Sequence, residues 1–173
     1  MIRMAKSSET EQNLSIIIDL FYKVYKTTKN KIFNKSSDES VIKIFKQIFL
    51  MKNHYFSYEN FIVNEENNQI NAVALVALDK DIHELKHKTF QLVKHKLKII
   101  IFSDFEVETE SKPNEVYLDI IAVHHDFQDQ GIGTKIINYI TIKYQNYKNV
   151  KWLALNVSYE NLDAKKIVWA SKL

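Results

Sequence analysis

Two periods of hydrophobic residues run along the chain, and they predict where helices and strands lie. Apolar residues recur at helical spacing in four segments: 9–25, 36–51, 81–102 and 136–144. Short runs rich in β-branched and apolar residues predict strands at 2–5, 61–63, 70–78, 116–123 and 152–157. These periods are typical of helices and strands packed around one core. Because the chain shows neither repeats nor a linker, we expect a single domain over residues 1–173.

Local signals refine the helices. Ser36 and Glu39 have the spacing of a capping box, which predicts the start of the second helix after a polar loop at 27–35. In the third helix, apolar positions 82, 85, 92, 93, 97 and 100 predict the packed stripe. Its lysines are expected on a solvated basic face: Lys86, Lys88, Lys94, Lys96 and Lys98. A polar loop at 103–114 should follow.

Glycine is unusually scarce in the sequence, and its two occurrences lie close together. The chain contains two glycines, both within Gln128-Asp129-Gln130-Gly131-Ile132-Gly133, whereas an average domain is roughly 7% glycine. Asn, Asp and Ser must therefore form the other turns. A strand precedes this segment and a helix follows it, a geometry that presents free N–H groups and the positive end of a helix to an anion. We expect a phosphate group to bind there. The alternative is that the glycines only form a turn between the strand and the helix.

Two common phosphate motifs do not fit. No Lys-Ser/Thr pair follows Gly133, which excludes a Walker loop, and residue 136 is Ile where a dinucleotide fingerprint needs glycine. The segment instead resembles the GNAT superfamily of N-acetyltransferases. That family has Gln/Arg-x-x-Gly-x-Gly/Ala after a strand that ends in Ala-Val, as do Ala122-Val123 and residues 128–133 here. The strand at 152–157 and Asn161-x-x-Ala164 are similar to the family's next strand and helix.

The resemblance implies the fold and the cofactor. The fold class would be α/β (α+β), with a mixed, mostly antiparallel central sheet flanked by helices, and the family's C-terminal strands would be missing after Leu173. The co-substrate would be acetyl-CoA, with no metal, and the acetyl group would pass directly to a primary amine of a small molecule or peptide. The implied cofactor contacts are Ile121, Ala122, Val123, Gln128, Asp129, Gln130, Gly131, Ile132, Gly133, Thr134 and Asn161.

Transfer to an amine needs a base near the thioester. In the family this is often an acid on the strand that carries Ala122-Val123. Asp119 is the only acid inside that apolar run, and Glu115 stands at its start. A hydrogen-bonded structural acid is an equal interpretation of Asp119. The family's usual general acid is a tyrosine, but its position holds Val168, so Tyr159 or water would have to protonate the thiolate.

Two other functions stay open. The first is an acetyl-CoA-binding module without efficient turnover, a sensor or a degenerate copy, which Val168 and the short C-terminus favour. The second and more distant is a zinc metalloprotease, because His83-Glu84-x-x-His87 spells H-E-x-x-H. Lys86 places a cation inside that motif, and the helical period places both histidines opposite the packed stripe. A solvated face is therefore the favoured interpretation of this motif.

Composition limits the chemistry, the partners and the cellular location that we expect for the protein. The chain has no cysteine, which excludes disulfides and a thiolate nucleophile, and its net charge of +3 suits an anionic ligand but not nucleic acid. No run is long enough to span a membrane and no secretory signal begins the chain, so we expect a cytoplasmic protein. The missing C-terminal strands would leave one edge of the sheet exposed, and a second copy of the chain in a homodimer could cover it. The final Ser171-Lys172-Leu173 matches a peroxisomal address or ends a helix.

Overall fold

A five-stranded sheet with the order β1-β2-β3-β4-β5 forms the centre of the protein. The computed structural model describes residues 1–28, 37–97 and 111–155. The strands are β1 (Ile2–Met4), β2 (Phe61–Glu66), β3 (Gln69–Leu78), β4 (Glu115–Val123) and β5 (Trp152–Leu155). The first three pairings are antiparallel, and β4 pairs with β5 in parallel. The predicted mixed, mostly antiparallel sheet is thus confirmed.

Helices cover both faces of this sheet. They are α1 (Glu11–Thr28), α2 (Asp38–Phe49), α3 (Asp79–Leu97) and α4 (Ile132–Tyr144). The first three pack on one face, where Val73 and Leu75 of β3 join their core. The alternate residues Ala74 and Val76 face the other way, into the core under α4. No helix in the described ranges is long and apolar enough to cross a membrane.

Some predicted boundaries are wrong. The cap of α2 is Ser37, not Ser36: the Ser37 Oγ accepts the N–H of Ser40 at 3.3 Å. Two adjacent serines offer nearly the same signal. With Ser37 as the cap, the Asp38 and Glu39 carboxylates both lie in the first helical turn, where the helix dipole favours them. Helix α1 also continues through residues 27 and 28, which were predicted to form a loop.

Asparagine and aspartate form the tight turns, as the scarcity of glycine predicts. The non-glycine residues with left-handed backbone are Asn53, Asn67, Asn68, Asn114, Asp129 and Asn149. The consecutive pair Asn67 and Asn68, with φ of 51° and 62°, joins β2 to β3 as a hairpin turn whose twist matches the strands.

A charged network fastens β1 to its surroundings. Arg3 donates two hydrogen bonds to the Glu9 carboxylate, at 2.6 and 3.1 Å, and a third to Glu65 Oε2 at 2.7 Å. Only 13% of the Arg3 side chain and 4% of the Glu9 side chain are exposed. Burial acts to raise the pKa of Glu9, but hydrogen bonds from Arg3 and from the Lys6 N–H outweigh it and hold the pKa below its usual 4.5.

Replacement of Arg3 by methionine is therefore expected to lower the free energy of unfolding by about 2 kcal/mol at pH 7, since the buried Glu9 carboxylate loses its charged partner. The native state favours ionised Glu9, so this stabilisation is present above pH 4.5 and is lost as pH falls below that value. Urea titrations at pH 7 and pH 3.5 would measure both effects. Lys43→Met, on an exposed face of α2, is the control. A difference between wild type and Arg3→Met that is equal at both pH values would contradict the assignment.

Candidate functional site

The segment after β4 is held by hydrogen bonds to the sheet and within itself. The His124 N–H donates to the Asn71 carbonyl of β3 at 2.8 Å. The Gln128 side chain donates to the Val123 carbonyl at 3.1 Å, and the Gln130 side chain donates to the Asp126 carbonyl at 3.2 Å. Both glutamines thus brace the loop with their side-chain amides, so the loop is shaped before any ligand arrives.

Gly131 has a backbone conformation that favours glycine. Its φ is 71° and its ψ is 14°, and it is the N-cap of α4 without any side-chain cap. A Cβ placed there would meet no atom within 4 Å, so the requirement is the left-handed backbone and not lack of room in the protein itself. Gly133 lies inside α4 and has no positive φ, so backbone conformation explains glycine at position 131 but not at position 133.

The loop before α4 carries N–H groups without a protein partner among the described residues. The first backbone bond of α4 runs from the Lys135 N–H to the Gly131 carbonyl at 3.0 Å. Within the described ranges, the N–H groups of residues 129–134 find no protein acceptor. Asp129, Gln130 and Gly131 are exposed, whereas Ile132 is buried and anchors the helix. Free donors at the start of a 13-residue helix can bind an anion such as a phosphate group.

The predicted backbone contacts on β4 lie next to this loop. Pairing between β4 and β5 covers Glu115 to Leu118, opposite Trp152 to Leu155. Beyond Leu118, β4 stays paired with β3 as far as Val123. On the β5 side, no described residue pairs with positions 119–123. Ile121 and Val123 are half-buried and Ala122 is buried, so this part of the strand leads directly to the anion-binding loop.

Asp119 occupies a β-bulge in the middle of β4. Leu75 pairs with Ile120 and Val76 pairs with Leu118, so Asp119 is the extra residue that faces no partner on β3. Its carboxylate accepts a hydrogen bond from the Tyr55 hydroxyl at 3.1 Å. A bulge redirects a side chain and is common beside active sites. Here it points the Asp119 carboxylate at Tyr55, in the core formed with α1, α2 and α3.

Tyr55 is a residue of the site that the sequence analysis missed. Its N–H, its carbonyl and its hydroxyl each have a hydrogen-bond partner. Its N–H donates to Thr89 Oγ1 at 2.7 Å, and its carbonyl accepts from the Asn60 side chain at 3.1 Å. Its side chain is 1% exposed. Burial and the nearby charge of Asp119 raise the pKa of Tyr55 well above 10, so its hydroxyl stays a donor. Three aromatic residues ahead of β2, at positions 55, 56 and 58, were the available signal.

Lys86 lies in the same region, and its predicted position on the wet face of α3 is wrong. It is only 9% exposed, and its ammonium lies 4.9 Å from the ring centre of Tyr55 and 5.9 Å from that of Tyr117. Ile82, Lys86, Thr89 and Val93 form one buried stripe. Tyr117 of β4 is buried in the same core as Tyr55, the residue that contacts Asp119.

The structure does not bring the other catalytic candidates to Asp119. Glu115 begins β4, about 13 Å from Asp119 along the strand, and its carboxylate accepts the Lys112 N–H at 2.7 Å. Tyr159, Asn161 and Val168 lie outside the described residues.

The H-E-x-x-H motif lies on an exposed part of α3. His83 and His87 are both exposed, which confirms the predicted solvated face. Among the described residues, the only three ligand side chains that gather within 4.8 Å are the consecutive His124, His125 and Asp126. The zinc hypothesis for His83 and His87 therefore gains no third ligand from the described part of the chain.

Comparison with known proteins agrees with this geometry. Residues 20–167 match the model of the acetyltransferase (GNAT) family. No curated protein matches the sequence. One solved acetyltransferase is 24% identical with a TM-score of 0.79, over 98% of this chain and 87% of that chain. An N-acetyltransferase from Staphylococcus aureus Mu50 is 18% identical with a TM-score of 0.78, over 98% and 88%. An aminoglycoside acetyltransferase from an uncultured soil metagenomic sample, solved with sisomicin, is 15% identical with a TM-score of 0.57, over 100% and 87%.

Proposed function

Because the chain belongs to the acetyltransferase (GNAT) family, we propose that it transfers the acetyl group of acetyl-CoA to a primary amine by direct attack in a ternary complex. The observation that carries this proposal is the set of free N–H groups at 129–134, at the end of β4 and the start of α4. They would bind the diphosphate of acetyl-CoA, because backbone donors and a helix N-terminus both favour negative charge.

The strand before the loop would hold the reactive end of the same molecule. Residues 121–123 lie between the bulge and the loop and pair only with β3 among the described residues. Their backbone would bond the pantetheine arm and polarise the thioester carbonyl. A well-placed donor to such an oxygen contributes about 3–4 kcal/mol to transition-state stabilisation.

Asp119 would act as the base. It lies two residues before Ile121 on β4, and the Tyr55 hydroxyl fixes one of its oxygens. An ionised carboxylate held there can take a proton from the attacking ammonium. Tyr55 would position Asp119 through this hydrogen bond. The proton for the departing thiolate would come from water or from Tyr159.

Release of coenzyme A tests the proposal, and the chain favours the assay because it contains no cysteine to react with a thiol reagent. Purified protein is mixed with acetyl-CoA and a panel of primary amines: an aminoglycoside, a polyamine and a lysine peptide. The first is included because one structural neighbour is an aminoglycoside acetyltransferase. N-acetylated forms of the same compounds are the controls. Amine-dependent release supports the proposal. Calorimetric binding of acetyl-CoA without transfer to any amine supports the alternative of a binding module, and no binding contradicts both.

A further inference from the structure

We propose that Lys86 is an acceptor for the protein's own acetyltransferase activity and is acetylated within the same molecule. The proposal rests on the proposed function, since the acetyl group must come from bound acetyl-CoA. It assigns a modification site to a lysine that the fold places inside the protein.

Lys86 differs from the other lysines of α3 in its burial. Lys80, Lys88, Lys94 and Lys96 are exposed, while Lys86 is 9% exposed. A lysine is rarely buried to this degree without specific partners, because its ammonium loses hydration. Its position on the stripe with Ile82, Thr89 and Val93 turns the side chain toward β4 and away from solvent.

The surroundings of the ammonium are those of an amine-binding site. The rings of Tyr55 and Tyr117 lie 4.9 and 5.9 Å from Lys86 Nζ, within the range of cation–π attraction. The hydroxyl of the same Tyr55 contacts the Asp119 carboxylate at 3.1 Å. One tyrosine therefore touches the amine with its ring and the candidate base with its hydroxyl. An acceptor amine would need this combination of aromatic faces and a carboxylate.

The covalent step balances with acetyl-CoA as the only co-reactant. Asp119 takes one proton from the Lys86 ammonium and passes it to solvent. The freed electron pair on Nζ forms a bond to the thioester carbonyl carbon, and the carbon–sulfur bond breaks. The second proton leaves the nitrogen as the intermediate collapses and ends on the thiolate. The products are N-acetyl-lysine, coenzyme A as the thiol, and one proton.

Mass spectrometry after incubation with isotope-labelled acetyl-CoA tests the inference on the full chain. Uncatalysed acetylation favours exposed lysines, so Lys88 and Lys94 serve as internal references. We expect Lys86 to gain label at least about tenfold faster than either, because its ammonium is held against Tyr55, whose hydroxyl contacts the proposed base Asp119. The rate per molecule should not change when the protein is diluted, which distinguishes reaction within one molecule from reaction between molecules.

Variants separate the possible outcomes. Asp119→Asn should abolish labelling of Lys86 and leave slow labelling of exposed lysines unchanged, whereas Lys88→Arg should not affect Lys86. Label only on exposed lysines, with acetyl-CoA binding intact by calorimetry, would overturn the inference while the proposed function stands. Equal labelling of Lys86 in wild type and Asp119→Asn would also overturn it. Failure of acetyl-CoA to bind would overturn the proposed function and this inference together.

Discussion

Replacement of Gly131 by aspartate is expected to weaken acetyl-CoA binding at least about 100-fold, which corresponds to about 2.7 kcal/mol. The new carboxylate would stand at the N-terminus of α4, among the N–H groups proposed for the diphosphate. At an effective dielectric of about 20, like charges roughly 4 Å apart repel by about 4 kcal/mol. The left-handed backbone, with φ of 71°, adds a smaller cost for any side chain.

Two matched variants separate the effect of the new charge on acetyl-CoA binding from the effect of the backbone conformation. Gly131→Asn has nearly the same shape as the aspartate and tolerates left-handed backbone, so it should lose much less affinity. Asn149→Asp adds the same charge at another exposed left-handed position, with φ of 77°, beyond the opposite end of α4. It should bind like wild type. Calorimetric titration with acetyl-CoA measures all four proteins. Equal loss in Gly131→Asp and Gly131→Asn would mean that backbone conformation, and not charge repulsion, is responsible.

Replacement of Asp119 by asparagine is expected to lower kcat/KM for acetyl transfer by about 10²–10⁴, the usual contribution of a general base. Acetyl-CoA affinity should change little, because Asp119 lies outside the loop at 129–134. Tyr55→Phe removes one hydrogen bond to a charged group, worth about 1.5–3 kcal/mol, and should cost less activity. Initial rates at varied amine and acetyl-CoA concentrations would separate the loss in kcat/KM from any change in acetyl-CoA affinity.

Glu115→Gln distinguishes the two predicted bases. It also removes a carboxylate from β4, but its partner is the Lys112 N–H at the other end of the strand. Loss of activity in Glu115→Gln with a normal rate in Asp119→Asn would reassign the base to Glu115. Circular dichroism and thermal melting of each variant would show whether a loss of rate reflects unfolding.

Much of the architecture was predictable because it depends on local periods. The apolar and β-branched runs in β2 and β3, the helical spacing in α2 and the glycine turn before α4 each carry their signal within a few residues. The capping serine was missed by one position because Ser36 and Ser37 are adjacent and either can precede a helical turn. Local sequence does not distinguish them, since the choice depends on how α2 enters the core.

The inner part of the site was less accessible to sequence reasoning. The bulge at Asp119 arises from the register between β3 and β4, which are separated by α3 and the residues after it. The burial of Lys86 depends on Tyr55 and Tyr117, which come from distant parts of the chain. One signal was available: Lys86 and Thr89 fall between Ile82 and Val93 at helical spacing. Counting only apolar residues as the packed stripe concealed it.

The proposed function depends above all on binding of the acetyl-CoA diphosphate by the loop at 128–134. Amide chemical shifts in ¹⁵N-labelled protein, followed by NMR during titration with acetyl-CoA, test it most directly. We predict that the largest changes fall on the amides of residues 129–134, with further changes at 121–123 of β4. Saturable binding that leaves the 129–134 amides unmoved, or shifts concentrated elsewhere on the sheet, would contradict the claim.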